Sequence, residues 1–454
     1  MWERAFVLGL LVLAFGAYLY VWPHAPVIDG DSAQYLAVAA DMADGRLDAL
    51  HFRTPGYPLL LVLTGSIETP TRLLFVVSLV LHLASVLMLA SLLRKLNLGR
   101  PWIASVTVIL LLPPFVEPSA YVMTENLAQA LLVAGFCCLV VCVVDGVMLY
   151  AIAAGAAFGS AALVRPVYQG LLPFLALAFA ILAVSSMQSP VPRAAIARKA
   201  GVLLAAWGVI VGGYAVANSA RFGWFGVTPS LGFHLSTKTI GFVERLPEEY
   251  AGVREILVRA RDAELVKRGG THTGTQAIWS ARDELREATG LSEPELSSFL
   301  VRMNLVLIRR APIEYLQDVA RSCAVYWFPA AGRLAAMDSA MLRWLWIALH
   351  GALVLILALE LAVVAGLASI SAVLRRVPAS RAWHANRHQL FTFGLALAIV
   401  FYTMALSCFL DIGEPRQRRP TDALFVTACV LGLAIWRQIA ADLAPRQKAA
   451  HTAA

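Results

Sequence analysis

The feature that most limits this chain is a long series of apolar runs, many of them reaching the roughly 18 to 20 residues that cross a hydrocarbon core. No water is available there to satisfy backbone N–H and C=O groups, so each run must be a helix or part of a closed barrel. The runs are continuous rather than alternating, which selects helices. Of 454 residues, 59% are hydrophobic and 15% charged, with mean hydropathy +0.71; soluble domains carry about 25% charged residues. The expectation is an all-α polytopic membrane protein. About ten transmembrane helices are expected, near 5–22, 72–93, 101–115, 127–144, 147–164, 170–186, 201–217, 341–370, 389–410 and 422–438. The 56–66 stretch is apolar but short, and is expected to lie in the interface. The 5–22 run is too long for a signal-peptide core and no small-residue cleavage site follows, so it reads as a first span.

Arginine and lysine set the orientation. Arg4, the Arg94–Lys95–Arg100 group, Arg193–Arg198–Lys199, Arg375–Arg376–Arg381–Arg387 and Arg437–Arg446–Lys448 all fall on one side of this threading, which the positive-inside rule makes cytoplasmic. Both termini are then inside. The net charge of +8 is therefore topological, and no basic stripe or finger motif points to nucleic acid. The turn at Asp145-Gly146 carries no cation and is the least supported link. Three outer segments remain. They are a first loop at 23–71 with amphipathic juxtamembrane helices, a long helical segment at 218–340, and a short arginine-rich loop at 411–421. The division expected is 1–217, 218–340 and 341–454, without internal repeats. In the long segment Leu296, Phe299, Leu300, Met303 and Leu307 recur at helical spacing, as in a helix lying on the membrane. The six cysteines are no disulfide framework. Cys137, Cys138 and Cys142 share one apolar run, and Cys323 and Cys408 could pair.

Unusual polar residues collect on the outer side. The first loop reads Asp29-Gly30-Asp31-Ser32-Ala33-Gln34-Tyr35, then an Ala-rich helix that stops at Asp44-Gly45. Asp31 can be an N-cap with Gln34 closing a capping box, or a carboxylate positioned as a general base for a hydroxyl. Arg53-Thr54-Pro55-Gly56-Tyr57-Pro58 follows. Its prolines bar a continuous helix, and Arg53 could hold a phosphate oxygen. Thr124 and Glu125 open the fourth span as cap and first-turn acid, or Glu125 is a second acidic group of a site. Arg165 closes the fifth span, and Arg416, Arg418 and Arg419 crowd the last loop. Arginines on this side run against the topological bias, and a bound anion would explain them, because a guanidinium grips phosphate bidentately. His384 and His388 have a metal-capable spacing but no third ligand, and Asp29-Gly30-Asp31 alone is a weak cation motif, so no metal is expected.

As an ordered set these motifs resemble the GT-C superfamily of integral-membrane glycosyltransferases, in the bacterial branch of lipid A aminoarabinose transferases related to protein O-mannosyltransferases. The match rests on Asp31 with Tyr35, the Arg53-to-Pro58 block, Thr124-Glu125, Arg165-Pro166 and Gly413-Glu414-x-Arg416-x-Arg418-x-Pro420. Ser32 stands where many relatives have a second acid, and Gln417 where many have tyrosine. The resemblance implies an inverting glycosyltransferase that takes a sugar from a polyprenyl-phosphate donor and passes it to a hydroxyl or phosphate acceptor on a lipid, glycan or protein. The place implied is the outer face of a bacterial inner membrane, with no cofactor. Asp31 and Glu125 are the expected catalytic acids; Arg53, Arg165, Arg416 and Arg418, with Asp29, Tyr35, Tyr57 and Glu414, are expected to bind substrate. The rival is a transporter or flippase of a lipid-linked sugar, which would place charged or broken helices near the bilayer midplane.

Overall fold

The computed structural model describes residues 2–185, 193–267, 274–329, 339–374 and 386–443. Among these residues there is no β-strand, only a single parallel bridge between Val27 and Tyr121. Seven helices among the described residues are long and apolar enough to cross a membrane, and a bent pair makes an eighth candidate. We label the helices used below α1 (Trp2–Val21), α2 (Ser32–Ala43), α3 (Gly56–Leu63), α4 (Arg72–Lys95), α5 (Arg100–Leu110), α6 (Glu125–Asp145), α7 (Met148–Val164), α8 (Leu171–Ser185) and α9 (Arg193–Phe222). The rest are α10 (Leu231–Thr239), α11 (Ala251–Lys267), α12 (Glu293–Arg310), α13 (Pro312–Tyr326), α14 (Ala340–Leu374), α15 (Arg387–Leu410) and α16 (Asp422–Leu443). The polytopic all-α expectation holds. His384, Arg375, Arg376, Arg381, Arg446 and Lys448 lie outside the described residues.

The expected span at 101–115 is instead broken. α5 stops at Leu110, and the chain bends by 63° into Pro113–Ala120. Pro113 and Pro114 have no N–H to continue the ladder, so the last carbonyls of α5 lose their partners. Neighbouring helices supply replacements, as apolar surroundings require. Tyr18 of α1 donates its hydroxyl to the Leu111 carbonyl at 2.8 Å, and the His82 Nε2 lies 2.9 Å from the Leu110 carbonyl. The other ring nitrogen of His82 meets the Gln129 side-chain amide at 3.0 Å, so one fully buried imidazole joins α4, α5 and α6.

The Asp145-Gly146 turn lies at the same end of the bundle as the α4–α5 connection. Lys95 pairs with Asp145 at 2.9 Å, and Lys199 donates to the Cys142 carbonyl at 3.3 Å. Gln389 donates to the Leu96 carbonyl at 2.8 Å at the same end. Two lysines and a glutamine from separate connections thus gather at one end of the bundle.

At the other end, segment 218–340 has its own core. Leu296, Leu300, Met303 and Leu307 are buried against Phe233, Ile240 and Leu257. The apolar face of α12 therefore packs on α10 and α11 rather than lying on a membrane. Polar groups fix that pairing: Asn304 accepts from the Thr239 hydroxyl at 2.5 Å and donates to Ser236 at 2.8 Å. Lys238, fully buried, pairs with Asp318 and donates to Ser322, tying α10 to α13.

Candidate active site

A short backbone clasp builds the site. Val27 N–H donates to the Ala120 carbonyl at 2.8 Å, and Val122 N–H donates to the Val27 carbonyl at 3.0 Å. The Ser32 hydroxyl reaches the Val122 carbonyl at 2.8 Å and that of Asp29 at 2.6 Å. These bonds lay the first loop against the segment that opens α6, so Asp31 and Glu125 face one cavity. Gly30 makes the turn just before Asp31 with φ +53°, and a Cβ there would sit 3.3 Å from an Arg416 nitrogen. Gly56, at the start of α3, packs so tightly on the end of α7 that a Cβ would fall 2.7 Å from the Leu163 carbonyl oxygen. That approach carries the Arg53 block up to Arg165.

Glu125 does sit in the first turn of α6, but the side-chain caps offered by Asp31 and Thr124 are not made. Asp31 makes no side-chain cap bond to α2 and has helical backbone angles, and the same is true of Thr124 at α6. Long-range arginines take those oxygens. Arg53 donates to Asp31 Oδ1 at 3.1 Å, and Arg416 lies 3.5 Å from Oδ2. Gln34, the expected partner in the box, accepts from Arg53 instead. Arg165 pairs with Glu125 Oε1 at 3.1 Å and donates to the Thr124 hydroxyl at 3.2 Å. Arg416 Nε lies 3.9 Å from the same Glu125 oxygen and 4.0 Å from Glu414. Charge-assisted bonds from a planar fork outcompete a local cap.

Two polar atoms in this cluster stay without a hydrogen-bond partner, Glu125 Oε2 and Arg416 Nε. Buried polar groups are almost always satisfied, so such atoms mark where a ligand or water belongs. Burial would raise the Asp31 carboxyl, but the charges of Arg53, Arg416 and Arg165 outweigh it and hold it below the ordinary carboxylate value.

The cluster stands between two adjoining cavities that share Asp31, Glu125, Glu414 and Arg416. One, of about 770 Å³, is lined further by Asp29, Glu117 and Arg419. The other, of about 790 Å³, is lined by Tyr35, Arg53, Arg165, His234, Trp279 and Arg282, and runs along Val164, Val167, Tyr402, Leu406 and Leu410 between α7 and α15. Arg53 also lies 4.9 Å over the Tyr35 ring.

A comparison of the whole fold with solved structures finds the archaeal oligosaccharyltransferase AglB from Archaeoglobus fulgidus, solved with an inhibitory peptide and a dolichol-phosphate. The TM-score is 0.53 at 14% identity, over 100% of this chain and 53% of that one. The chain shares the overall fold of that structure. This chain spans about half the length of AglB. ArnT from Cupriavidus metallidurans, bound to undecaprenyl phosphate, aligns at TM-score 0.39 and 13% identity over 95% of this chain and 77% of that chain, too weakly to support an argument. No family model matches the chain, and no curated protein matches its sequence.

Against this fold the expected site residues divide. Asp29, Asp31, Tyr35, Arg53, Glu125, Arg165, Glu414 and Arg416 all line the cavities. Tyr57 does not, because it is buried beneath Tyr35 with ring centroids 5.3 Å apart. Arg418 is also displaced from the site. It is fully buried, pairs with Asp422 at 2.7 Å and donates to the Tyr326 and Phe328 carbonyls. A step of two residues past Arg416, about half a helical turn, points it away from the cavity and into the protein. Arg419 forms a buried pair with Glu117 at 2.9 Å. Glu117, His234, Asp411, Trp279 and Arg282 were not expected from sequence; a lone acid or histidine in a long loop carries no local signal. All six cysteines are free thiols, including Cys323 and Cys408. Among the described residues no group of three or more His, Cys, Asp or Glu side chains is placed to hold a metal ion.

Proposed function

We propose that the chain is an inverting glycosyltransferase that moves a sugar from a polyprenyl-phosphate carrier to a hydroxyl on a lipid, glycan or protein acceptor, at the non-cytoplasmic surface of a bacterial inner membrane. The observation that carries this reading is the meeting of Arg53, Arg165 and Arg416 with Asp31 and Glu125 at the mouth of a cavity with an apolar flank between helices. Three guanidinium groups suit a phosphodiester, and the flank along Val167, Leu406 and Leu410 suits a prenyl tail. Residues 1–217 and 341–454 would form the transmembrane body, and 218–340 a wall that holds donor and acceptor together.

The chemistry follows from shared arginines. In the free protein Asp31 is engaged by Arg53 and Arg416 and is a weak base. A donor phosphate draws those guanidinium groups toward its own oxygens and leaves the carboxylate free to accept the acceptor's proton. As the acceptor oxygen bonds to the anomeric carbon, the bond from that carbon to the phosphate oxygen breaks. Polyprenyl phosphate leaves with the electron pair, and the acceptor proton passes to Asp31. One displacement inverts the anomeric centre. The arginines stabilise the charge that grows on the leaving phosphate, and Glu125 holds Arg165 and Arg416 in place.

The test is reconstitution of the full chain with polyprenyl-phosphate sugars and membrane acceptors, followed by mass spectrometry of the lipids. Release of polyprenyl phosphate with a glycosylated acceptor is the expected result. Movement of intact lipid-linked sugar between leaflets, with no bond broken, would sink the transferase reading in favour of a flippase.

A further inference from the structure

One ordered cluster in the cavity takes no part in the chemistry above. His234 lies on α10, and Asp411 caps the end of α15. His234 Nδ1 and Asp411 Oδ2 are 3.1 Å apart. Asp411 is held on all sides: Ile412 N–H donates to Oδ1 at 2.8 Å, the Thr237 hydroxyl to Oδ1 at 3.3 Å, and the Gln417 amide to Oδ2 at 2.8 Å. A carboxylate so surrounded accepts and does not donate, so the His234 Nδ1 proton points to Asp411. In the neutral ring Nε2 is then an acceptor left for a ligand. The imidazole is 40% exposed and lines the cavity that holds Asp31, Arg53 and Arg416.

An aromatic wall flanks it. The Trp279 indole stands 5.4 Å from the imidazole, nearly edge-on, and is braced by stacking on Phe233 at 5.4 Å and 18° and by Phe52 at 5.9 Å. A phosphodiester has no proton to give to Nε2, whereas a hydroxyl has. Connectivity points to which hydroxyl. Gln417, which holds Asp411, is the residue next to Arg416. His234 and Arg416 also line the same cavity, so a phosphate held by Arg416 would carry its sugar into the space that His234 faces.

We propose that His234, aligned by Asp411 and flanked by Trp279, reads the transferred sugar, its Nε2 accepting a hydrogen bond from a sugar hydroxyl. The inference rests on the lipid-phosphate-sugar reading of the cavity. A site built to bond a hydroxyl rejects analogues that lack it far more strongly than a hydrophobic pocket rejects an extra methylene, so this residue sets donor specificity.

The experiment measures binding to the detergent-solubilised full chain. The probes are undecaprenyl phosphate and undecaprenyl phosphate carrying glucose, mannose, galactose or arabinose. The parent protein should bind at least one sugar-loaded lipid more tightly than the bare lipid phosphate. For that lipid, His234→Ala should weaken binding about tenfold or more, the loss of about 1.4 kcal/mol that one hydrogen bond supplies, while bare undecaprenyl phosphate binds within about twofold of the parent. His234→Gln, which retains an acceptor oxygen, should recover part of the loss, and Arg416→Ala should weaken both lipids. Equal losses for bare and loaded lipid, no loss for either, or a parent that prefers no loaded lipid would each overturn the assignment. Failure of the parent to bind even bare undecaprenyl phosphate would instead overturn the transferase reading, and this assignment with it.

Discussion

The cavity mouth and the buried lock beside it are both made of ion pairs, yet they use arginine in opposite ways. At the mouth, Arg416 is spread thinly over Asp31, Glu125 and Glu414 at 3.5 to 4.0 Å, with its Nε unsatisfied. In the lock, Arg418 has a close carboxylate and two carbonyls and no exposed surface. Incomplete valence leaves room for a ligand, whereas saturated valence only holds helices together. Two arginines of one loop thus do unrelated work, and charge alone does not tell them apart.

Substitutions can break or sharpen that contrast. The largest effect is expected from Asp31→Asn, which keeps size and one hydrogen-bond partner but removes the base. Transfer should fall by roughly 10² to 10⁴, with the unfolding temperature close to the parent's; a variant that stays active would move the base elsewhere, Asp29 first. Next, Arg418→Ala should destabilise the protein by about 3 to 5 kcal/mol, since it strands Asp422 in a buried site, and would be seen as loss of monodisperse protein in detergent. A well-folded Arg418→Ala protein with slowed transfer would mean that the lock belongs to the site after all. Arg416→Ala should do the reverse. The fold should be kept, while transfer drops by about 10² to 10³, as when one preorganised donor to a developing anion is lost.

A smaller change separates charge from geometry. Arg416→Lys retains the cation without the fork, so transfer should fall about tenfold and no further; parity with the parent would reduce Arg416 to a point charge. The smallest effect concerns acid. Arg53 and Arg416 hold the Asp31 carboxyl below its unfolded value of about 3.9, so their pairing stabilises the fold above that pH and is lost as pH falls through the lower, folded value. With Asp31 over a third exposed, less than about 1 kcal/mol is at stake. The unfolding temperature of the ligand-free parent should therefore drop slightly more between pH 5 and pH 3 than that of Asp31→Asn. Parallel curves would show that the pairs contribute nothing measurable.

Much of this was legible in the residues, for a physical reason. Apolar runs must become helices in lipid, so the spans can be read wherever a run is unbroken, and the convergence of Asp31, Arg53, Glu125, Arg165 and Arg416 followed from where the arginines fall relative to them. What stayed hidden depends on competition between near and far partners. Asp31 with Gln34 is a sound local capping box, and only the fold reveals that Arg53 captures both. The stripe from Leu296 to Leu307 suits a membrane surface or a second core equally well, and the choice lies with Phe233 and Leu257 far along the chain. The expected span at 101–115 gave no weight to Pro113 and Pro114, which lack the N–H needed to carry the helix through. The His234–Asp411 pair joins residues with no pattern in common, and nothing local could have linked them.

The clasp between Val27 and Tyr121 has a consequence for how the protein can vary. The backbone is pinned at Val27 and again where Ser32 reaches Val122, so the chain between them works like a fixed-length rope between two cleats. A single residue inserted there has no slack to disappear into, because each residue adds up to about 3.8 Å of contour. Side chains elsewhere on the rim can be exchanged to suit new partners, but the spacing from 27 to 32 is a dimension of the machine. Tolerance to insertion should collapse abruptly at those five bonds while the exposed Asp44-Gly45 turn accepts extra length.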